Sequence, residues 1–557
     1  MTVATTYTND DTRHADRFPK LTDAQMARIA AVATRRHMRA GEVLFEQGDA
    51  VGGIFVVVSG KLEITRPGLA GDDLIVVHGP AEFSGEVSVL SGRRALVRGR
   101  ALEDGELLAL DADALRHVIQ GDTELSDLFM RAFILRRVAL VAHGLGDATL
   151  IGSSHSAGTL RLQEFFTRNS HPYAYVDVDR DKDLQVLLDR FHVGVGDVPV
   201  VICRGEKVLK NPTNEEVADC FGLSGERNTD TVRDLLVVGA GPGGLAAAVY
   251  AASEGLDVLV LETDAPGGQA GTSSKIENYL GFPTGISGQA LAARAFAQAQ
   301  KFGAEIAVTH SAARFVCEGK TGGFEVELSN GGVVRSRAVI IASGVRYRRL
   351  ALPYLARFEG VGVYYSAAKL EGELCRDEDV IVVGGANSAG QAAVFLSSHA
   401  RHVHVLIRGP GLSDTMSRYL IRRIEESPNI TLHPYTEIVA LEGDDRLRSV
   451  KWRGRDGTIE SRAIAHVFSM TGAEPNTKWL SGCVALDEKG FIKTGSDLGP
   501  DDLKATWPLP RAPFLLETNR PRIFAVGDVR SGSVKRVASA VGEGSICVQL
   551  VFRSLVQ

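Results

Sequence analysis

The 557-residue chain is too long for a single hydrophobic core, and at one domain per ~150 residues it predicts three or four units. With 44% apolar and 23% charged residues and a net charge of −6, it has the composition of a globular protein and lacks the basic excess that nucleic acid or an anionic membrane would require. The six cysteines form no C-x-x-C and no metal-ligand spacing, so neither a disulfide framework nor a metal site is expected; a redox pair would need two cysteines distant in sequence to meet in space.

The first residues, MTVATTYTNDDTRHADRF, lack the apolar centre of a secretory signal, and glycines and acids break the most apolar stretch before it could span a bilayer. A cytoplasmic address without a membrane span is expected. Residues 18–145 then show short period-two strands separated by Gly-Asp and Ser-Gly turns, GEVLFEQGD, GGIFVVVSG, KLEITRPG and DLIVVHGP, followed from Asp111 by two helical patterns. A β-roll closed by two helices is predicted. Within it FSGEVSVLSGRRALVRG resembles the phosphate cassette of cyclic-nucleotide-binding domains, with Ser84 where that family has Gly. The resemblance implies that Gly85 admits a ribose phosphate, Glu86 accepts from the 2′-hydroxyl, and Arg94 with Ala95 holds the cyclic phosphate of cAMP or cGMP. The alternative is a roll that binds nothing and serves as an interaction module.

Residues 147–225 alternate strand and helix, with helices predicted over TLRLQEFFTRN, DLQVLLDRFHV and NEEVADCFGL and a strand beginning after Pro199. This order resembles the thioredoxin or glutaredoxin fold, in which the proline is often cis. That fold carries C-x-x-C after its first strand, where a helix dipole lowers the thiol pKa; here the loop reads Ser153, Ser154, His155 and Ser156. A structural or docking role is expected of it.

Two dinucleotide-binding openings follow. In DLLVVGAGPGGLAAAVYAASEGLDVLVLE, Gly239, Gly241 and Gly244 follow an apolar strand and open a helix, and Glu262 ends the next strand, as required for a pyrophosphate and a ribose diol. In DVIVVGGANSAGQAAVFLSSHARHVHVLIR the special positions hold Gly384, Ala386 and Ala389, with Ser388 beside them. The following strand is expected to end in Arg408 rather than an acid, a cation that suits a 2′-phosphate and favours NADPH over NADH. The loop DLGPDDLKATWPLPRAPFLLETNRPR is expected to lack regular structure, with Trp507 either covering a ring face or packing on a neighbouring domain.

Together with GGQAGTSSKIENYLGFP, IIASGVRYRRL, TGAEPNT and IFAVGDVRSGSVKRVASAVGEGS, these openings resemble the ordered motifs of the low-molecular-weight thioredoxin reductase family. The resemblance implies an FAD-binding domain over 232–352 and 479–557, into which an NAD(P)H-binding domain, 353–478, is inserted. The fold class is therefore multidomain, a β-roll and a thioredoxin-like α/β unit followed by two Rossmann-like domains. It implies further that Gln269 and Asn278 lie along FAD, that Gly344 closes the crossing between the domains, that Asp528 binds the ribityl chain, and that Arg536, Val537 and Ala538 face the flavin pyrimidine. The family's C-x-x-C would fall on Ser366, Ala367, Ala368 and Lys369, so both thiols are missing, and serine replaces neither in disulfide exchange.

An FAD-dependent NADPH oxidoreductase is expected, a flavoprotein handing electrons to something other than a dithiol: a quinone, an iron-sulfur or flavin protein, or dioxygen. A cyclic nucleotide could gate it, and the resemblance implies a homodimer. Two alternatives stay open: a cyclic-nucleotide or redox sensor with a flavin-bound core, and a thioredoxin-disulfide reductase working through distant cysteines.

Overall fold

The period-two runs of the N-terminal region form two antiparallel sheets in the computed structural model. That model describes residues 11–556 except 51, 68–71, 86–87, 92, 144–145, 155, 180–196, 206, 225–230, 318–322, 445 and 481. The chain divides into two compact units, one of Met1–Ser153, Asn169–Glu226 and Ala297–Ala307, the other of Ser154–Arg168, Arg227–Phe296 and Val308–Gln557.

In the first unit, strands Thr34–Met38, Gly105–Asp111 and Gly53–Ser59 form one sheet of the roll, and Val43–Phe45, Arg98–Ala101, Leu62–Arg66 and Asp73–His78 the other. Helices Ala112–Gly121 and Thr123–Ala142 follow, each begun by an aspartate, Asp111 or Asp122, whose side chain accepts a backbone N–H of the first turn. Phe83 sits edge-on to Phe129 at 4.7 Å in the core these helices cover, so aromatic packing joins roll and helices.

A four-stranded mixed sheet in the same unit has the order Lys207–Lys210, Val200–Cys203, Ala148–Gly152, Tyr173–Asp177, with only the last two parallel. The Val198–Pro199 peptide is cis. The helix predicted over DLQVLLDRFHV lies outside the described residues, as does His155.

In the second unit, Val232–Val238 lies between Val258–Glu262 and Val333–Ile341, parallel to both. Its last four residues are buried, as an apolar run covered on both faces must be. The chain leaves this sheet after Ile341 and returns as Ile523–Ala525, parallel to Val339–Ile341. Between these points lies a five-stranded parallel sheet, in the order Val363–Tyr364, His466–Ser469, Asp379–Val383, His402–Leu406, Ile430–His433. Among the described residues, no helix is long and apolar enough to cross a membrane.

Two expectations are corrected. The structure pairs Cys203 with Cys220 and Cys317 with Cys483, at Cα separations of 6.7 and 5.8 Å, although no spacing motif marks them. The reason is tertiary: Cys203 ends a strand and Cys220 lies on the helix Asn214–Phe221 that follows, while Cys317 lies just past the strand Ala312–Val316 and meets a residue 166 positions away. The loop around Trp507 contains a short helix, Pro500–Leu503, because Pro at its first turn is compatible with helix and Asp502 accepts the N–H of Gly499.

Candidate functional site

The turn after Val238 shapes the main site. Gly239 has φ +106°, and a Cβ there would lie 2.4 Å from the Ala342 carbonyl, so only glycine lets the two strand ends cross. Gly244 packs its helix on that turn; a Cβ would meet the Gly239 carbonyl at 1.9 Å. Gly241 is different: a Cβ there meets nothing within 4 Å, because it borders an open cavity of 1150 Å³. Glu262 borders the same cavity and is 9% exposed, its two oxygens accepting the backbone N–H of Ala240 (2.8 Å) and Asp264 (3.1 Å). Burial pushes its carboxyl pKa up while these N–H groups oppose the shift.

Most of the predicted residues meet at this cavity. Gly239, Gln269, Asn278, Gly344, Asp528, Arg536 and Val537 line it, and so does Ser388 from the second fingerprint. Gln269 is held by its side-chain N–H donating to the Val345 carbonyl, which fixes it beside the crossing strands. Gly244, Ala538, Gly384, Ala389 and Arg408 do not line it. Gly384, at φ +141°, packs against the Met470 carbonyl, Ala389 is fully buried, and Arg408 is exposed beyond its strand, each place set by strand-helix packing rather than by the cavity. Trp507 does not line it either; its indole N–H donates to the Arg511 carbonyl.

The wall at the family's dithiol positions holds Tyr364, Tyr365, Ser366 and Glu371, and no described cysteine lines the cavity. Lys369 is exposed outside it. Ser366 donates to Glu371 Oε1 at 3.1 Å, and the Ala368 N–H donates to Oε2 at 2.9 Å. Glu371 is 7% exposed, and burial raises its pKa. Cys375, the nearest thiol in sequence, is fully buried in the sheet core with its pKa pushed up to about 12, so it supplies no thiolate at neutral pH.

Sequence reasoning missed Glu371 and the pair Glu164 and Arg168, which reach the cavity from helix Ala157–Arg168. Arg168 donates to the Gly268 carbonyl and Gln289 to the Thr167 carbonyl, anchoring that helix beside the FAD-type turn. No local motif announces such residues, since their place is set by tertiary packing.

The roll encloses a second cavity of 460 Å³. Gly85 lines it at φ +104°, where a Cβ would lie 2.5 Å from Ile54. Arg136, 7% exposed, donates to the Gly85 carbonyl at 2.8 Å and lies over the Phe83 ring at 4.6 Å. Ser84 is buried, with its hydroxyl accepting the Phe55 N–H, and Ala95 lines the cavity. Arg94 does not line it: the residue is exposed and its guanidinium donates to the Gly48 carbonyl at 2.9 Å. Glu86 lies outside the described residues.

A glycine turn that admits a phosphate, a buried carboxylate at a strand end and Ser388 of the second fingerprint border one cavity, as the meeting of a flavin and a nicotinamide requires, and the open face at Gly241 leaves room for a pyrophosphate. The chain is accordingly an FAD-dependent NAD(P)H oxidoreductase. Residues 233–544 match the model of the pyridine nucleotide-disulphide oxidoreductase family, and the chain belongs to that family. Its cofactors are FAD and NADPH. Residues 35–122 match the cyclic nucleotide-binding domain.

A thioredoxin reductase of Mycolicibacterium smegmatis is 31% identical over 317 residues, covering 57% of this chain and 94% of that protein. An NADH dehydrogenase of Ferdinandcohnia aciditolerans is 29% identical over 365 residues, and the match spans 65% of each chain. The crystal structure of Lactococcus lactis thioredoxin reductase in its FR conformation is 27% identical, with a TM-score of 0.51, covering 58% of this chain and 99% of that one.

Proposed function

We propose that electrons from NADPH leave this protein by way of an acceptor that is not a dithiol. The observation that carries this reading is the cavity wall: Ser366 stands there, no described cysteine lines it, and the Cys317–Cys483 pair of the same unit does not border it. FAD, when bound, accepts a hydride from the nicotinamide and releases two electrons to a second substrate.

The residues of the chain hold and orient these groups. Gly239 and Gly241 admit the FAD pyrophosphate while Gly244 keeps the helix close, and Glu262 holds the ribose. Gln269, Asn278, Gly344 and Asp528 line the remainder, and Arg536, Val537 and Ala538 present a helix start to the pyrimidine, where its N–H groups favour negative charge. Gly384, Ser388 and Ala389 form the NADPH turn, with Arg408 suited to the 2′-phosphate. In this reading 232–352 and 479–557 form the FAD domain, 353–478 the inserted NADPH domain, 147–225 a thioredoxin-like segment without the redox C-x-x-C, and 18–145 a roll through which a cyclic nucleotide gates turnover in a cytoplasmic homodimer. Gating would require Arg94 to turn from the Gly48 carbonyl towards the ligand.

Turnover with NADPH and ferricyanide, compared with turnover with NADPH, thioredoxin and a chromogenic disulfide, tests the reading. Ferricyanide is expected to be reduced and the disulfide left intact; rapid thioredoxin-dependent disulfide reduction would overturn it.

A further inference from the structure

The wall that replaces the dithiol is acidic and aromatic. Glu371 is 7% exposed and borders the cavity, and no lysine or arginine pairs with it among the described residues. Its two oxygens accept from neutral donors, Ser366 Oγ, the Ala368 N–H and its own backbone N–H, which oppose the upward shift that burial imposes. The titratable groups around it are Glu164, on helix Ala157–Arg168, and Tyr364 and Cys375, on its own flanks. Glu164 is in turn 3.4 Å from Arg168. Burial and the Glu164 charge both favour a carboxyl that keeps its proton, a state suited to donation.

Acceptor chemistry discriminates on this point. An iron-sulfur carrier takes single electrons and needs no proton at the site, and a disulfide needs a thiolate partner, which the cavity lacks. A quinone takes two electrons and two protons, and its planar ring suits a cavity wall bordered by Tyr364 and Tyr365.

We propose that the acceptor is of the quinone class and that Glu371, hydrogen-bonded to Ser366, donates a proton to the quinone oxygen from the cavity wall. The proposal rests on the reading that electrons leave to a non-dithiol acceptor. The balance is NADPH plus H⁺ plus quinone giving NADP⁺ plus hydroquinone. The nicotinamide hydride supplies two electrons and one proton, Glu371 supplies the second proton, and its carboxylate recovers one from water. Both carbonyl π bonds of the quinone are lost as two O–H bonds form, one with the proton from Glu371 and the other with the proton that entered as hydride.

The test compares wild-type holoprotein with Glu371→Gln and Glu371→Asp, using menadione as the quinone and ferricyanide as a proton-free control, from acid to alkaline pH. Glutamine keeps an oxygen for the Ala368 N–H and removes the acid. The ratio of menadione to ferricyanide turnover is expected to fall about 100-fold in Glu371→Gln and to recover in part in Glu371→Asp. The wild-type ratio should decline as pH rises through the raised value of the carboxyl, and this limb should vanish in Glu371→Gln. Independently of turnover, infrared spectra of the oxidised protein should show a protonated-carboxyl C=O band in wild type that Glu371→Gln lacks. An unchanged ratio and pH profile in Glu371→Gln, or ferricyanide turnover without menadione turnover in wild type, would overturn the proposal while leaving the non-dithiol reading intact. Thioredoxin-dependent disulfide reduction would overturn both.

Discussion

Burial acts in opposite directions on Glu371 and His404, because it opposes charge on a carboxylate and on an imidazolium alike. Glu371 holds its proton more tightly in the folded protein than in the unfolded chain, so the stability it contributes is greatest at low pH and declines as pH rises from the unfolded value of about 4.3 through the raised folded value. Urea midpoints of wild type and Glu371→Gln at pH 5 and 8 check this: the gap should shift in favour of the glutamine variant at pH 8. His404 has its pKa lowered to about 4 by burial first and then by His402 and His433, and its Nδ1 lies 3.0 Å from His433 Nε2. Here the unfolded chain binds the proton more tightly. Stability is full above about pH 6.5 and is lost as pH falls towards 4. His404→Asn should flatten that acid limb in thermal melts; an unchanged slope would remove His404 from the account.

At the scale of elements, the two fingerprint turns were legible in the sequence because a strand, a tight turn and a helix start constrain consecutive residues. Their glycines also separate into different physical roles. Gly241 faces open space, so Gly241→Ala should fold and retain FAD about tenfold less tightly, a change of ~1.4 kcal/mol, read from flavin released on dilution. Gly244→Ala would press a methyl onto the Gly239 carbonyl and should cost about 2 kcal/mol of stability, read from denaturant midpoints. Equal behaviour of the two variants would contradict the division. The capped helices after Asp111 were equally legible. What the sequence hid was set by residues far apart: the Cys317–Cys483 pair, the approach of Glu164 and Arg168, and Arg94 turned to the Gly48 carbonyl instead of into the roll.

For the whole molecule, family membership and the pairing of FAD with NADPH were readable from motif order, because each motif builds one edge of a shared cavity. The roll was readable too, and the matched segment 35–122 agrees with it. Its effect on turnover is a separate matter: the proposed gating predicts that saturating cyclic AMP changes the NADPH–ferricyanide rate at least about twofold, enough to reflect a coupling of ~0.4 kcal/mol. Replacing Arg94 with Gln should abolish that response, and a rate indifferent to cyclic AMP and cyclic GMP would reject it.

The claim that flavin is the only redox centre in communication with NADPH is tested most directly by anaerobic titration of the yellow holoprotein with NADPH, followed by visible absorbance. The account predicts full bleaching at one two-electron equivalent per chain. Uptake of two equivalents, with Cys203–Cys220 or Cys317–Cys483 recovered as free thiols, would contradict it and make a cysteine pair the route by which electrons leave.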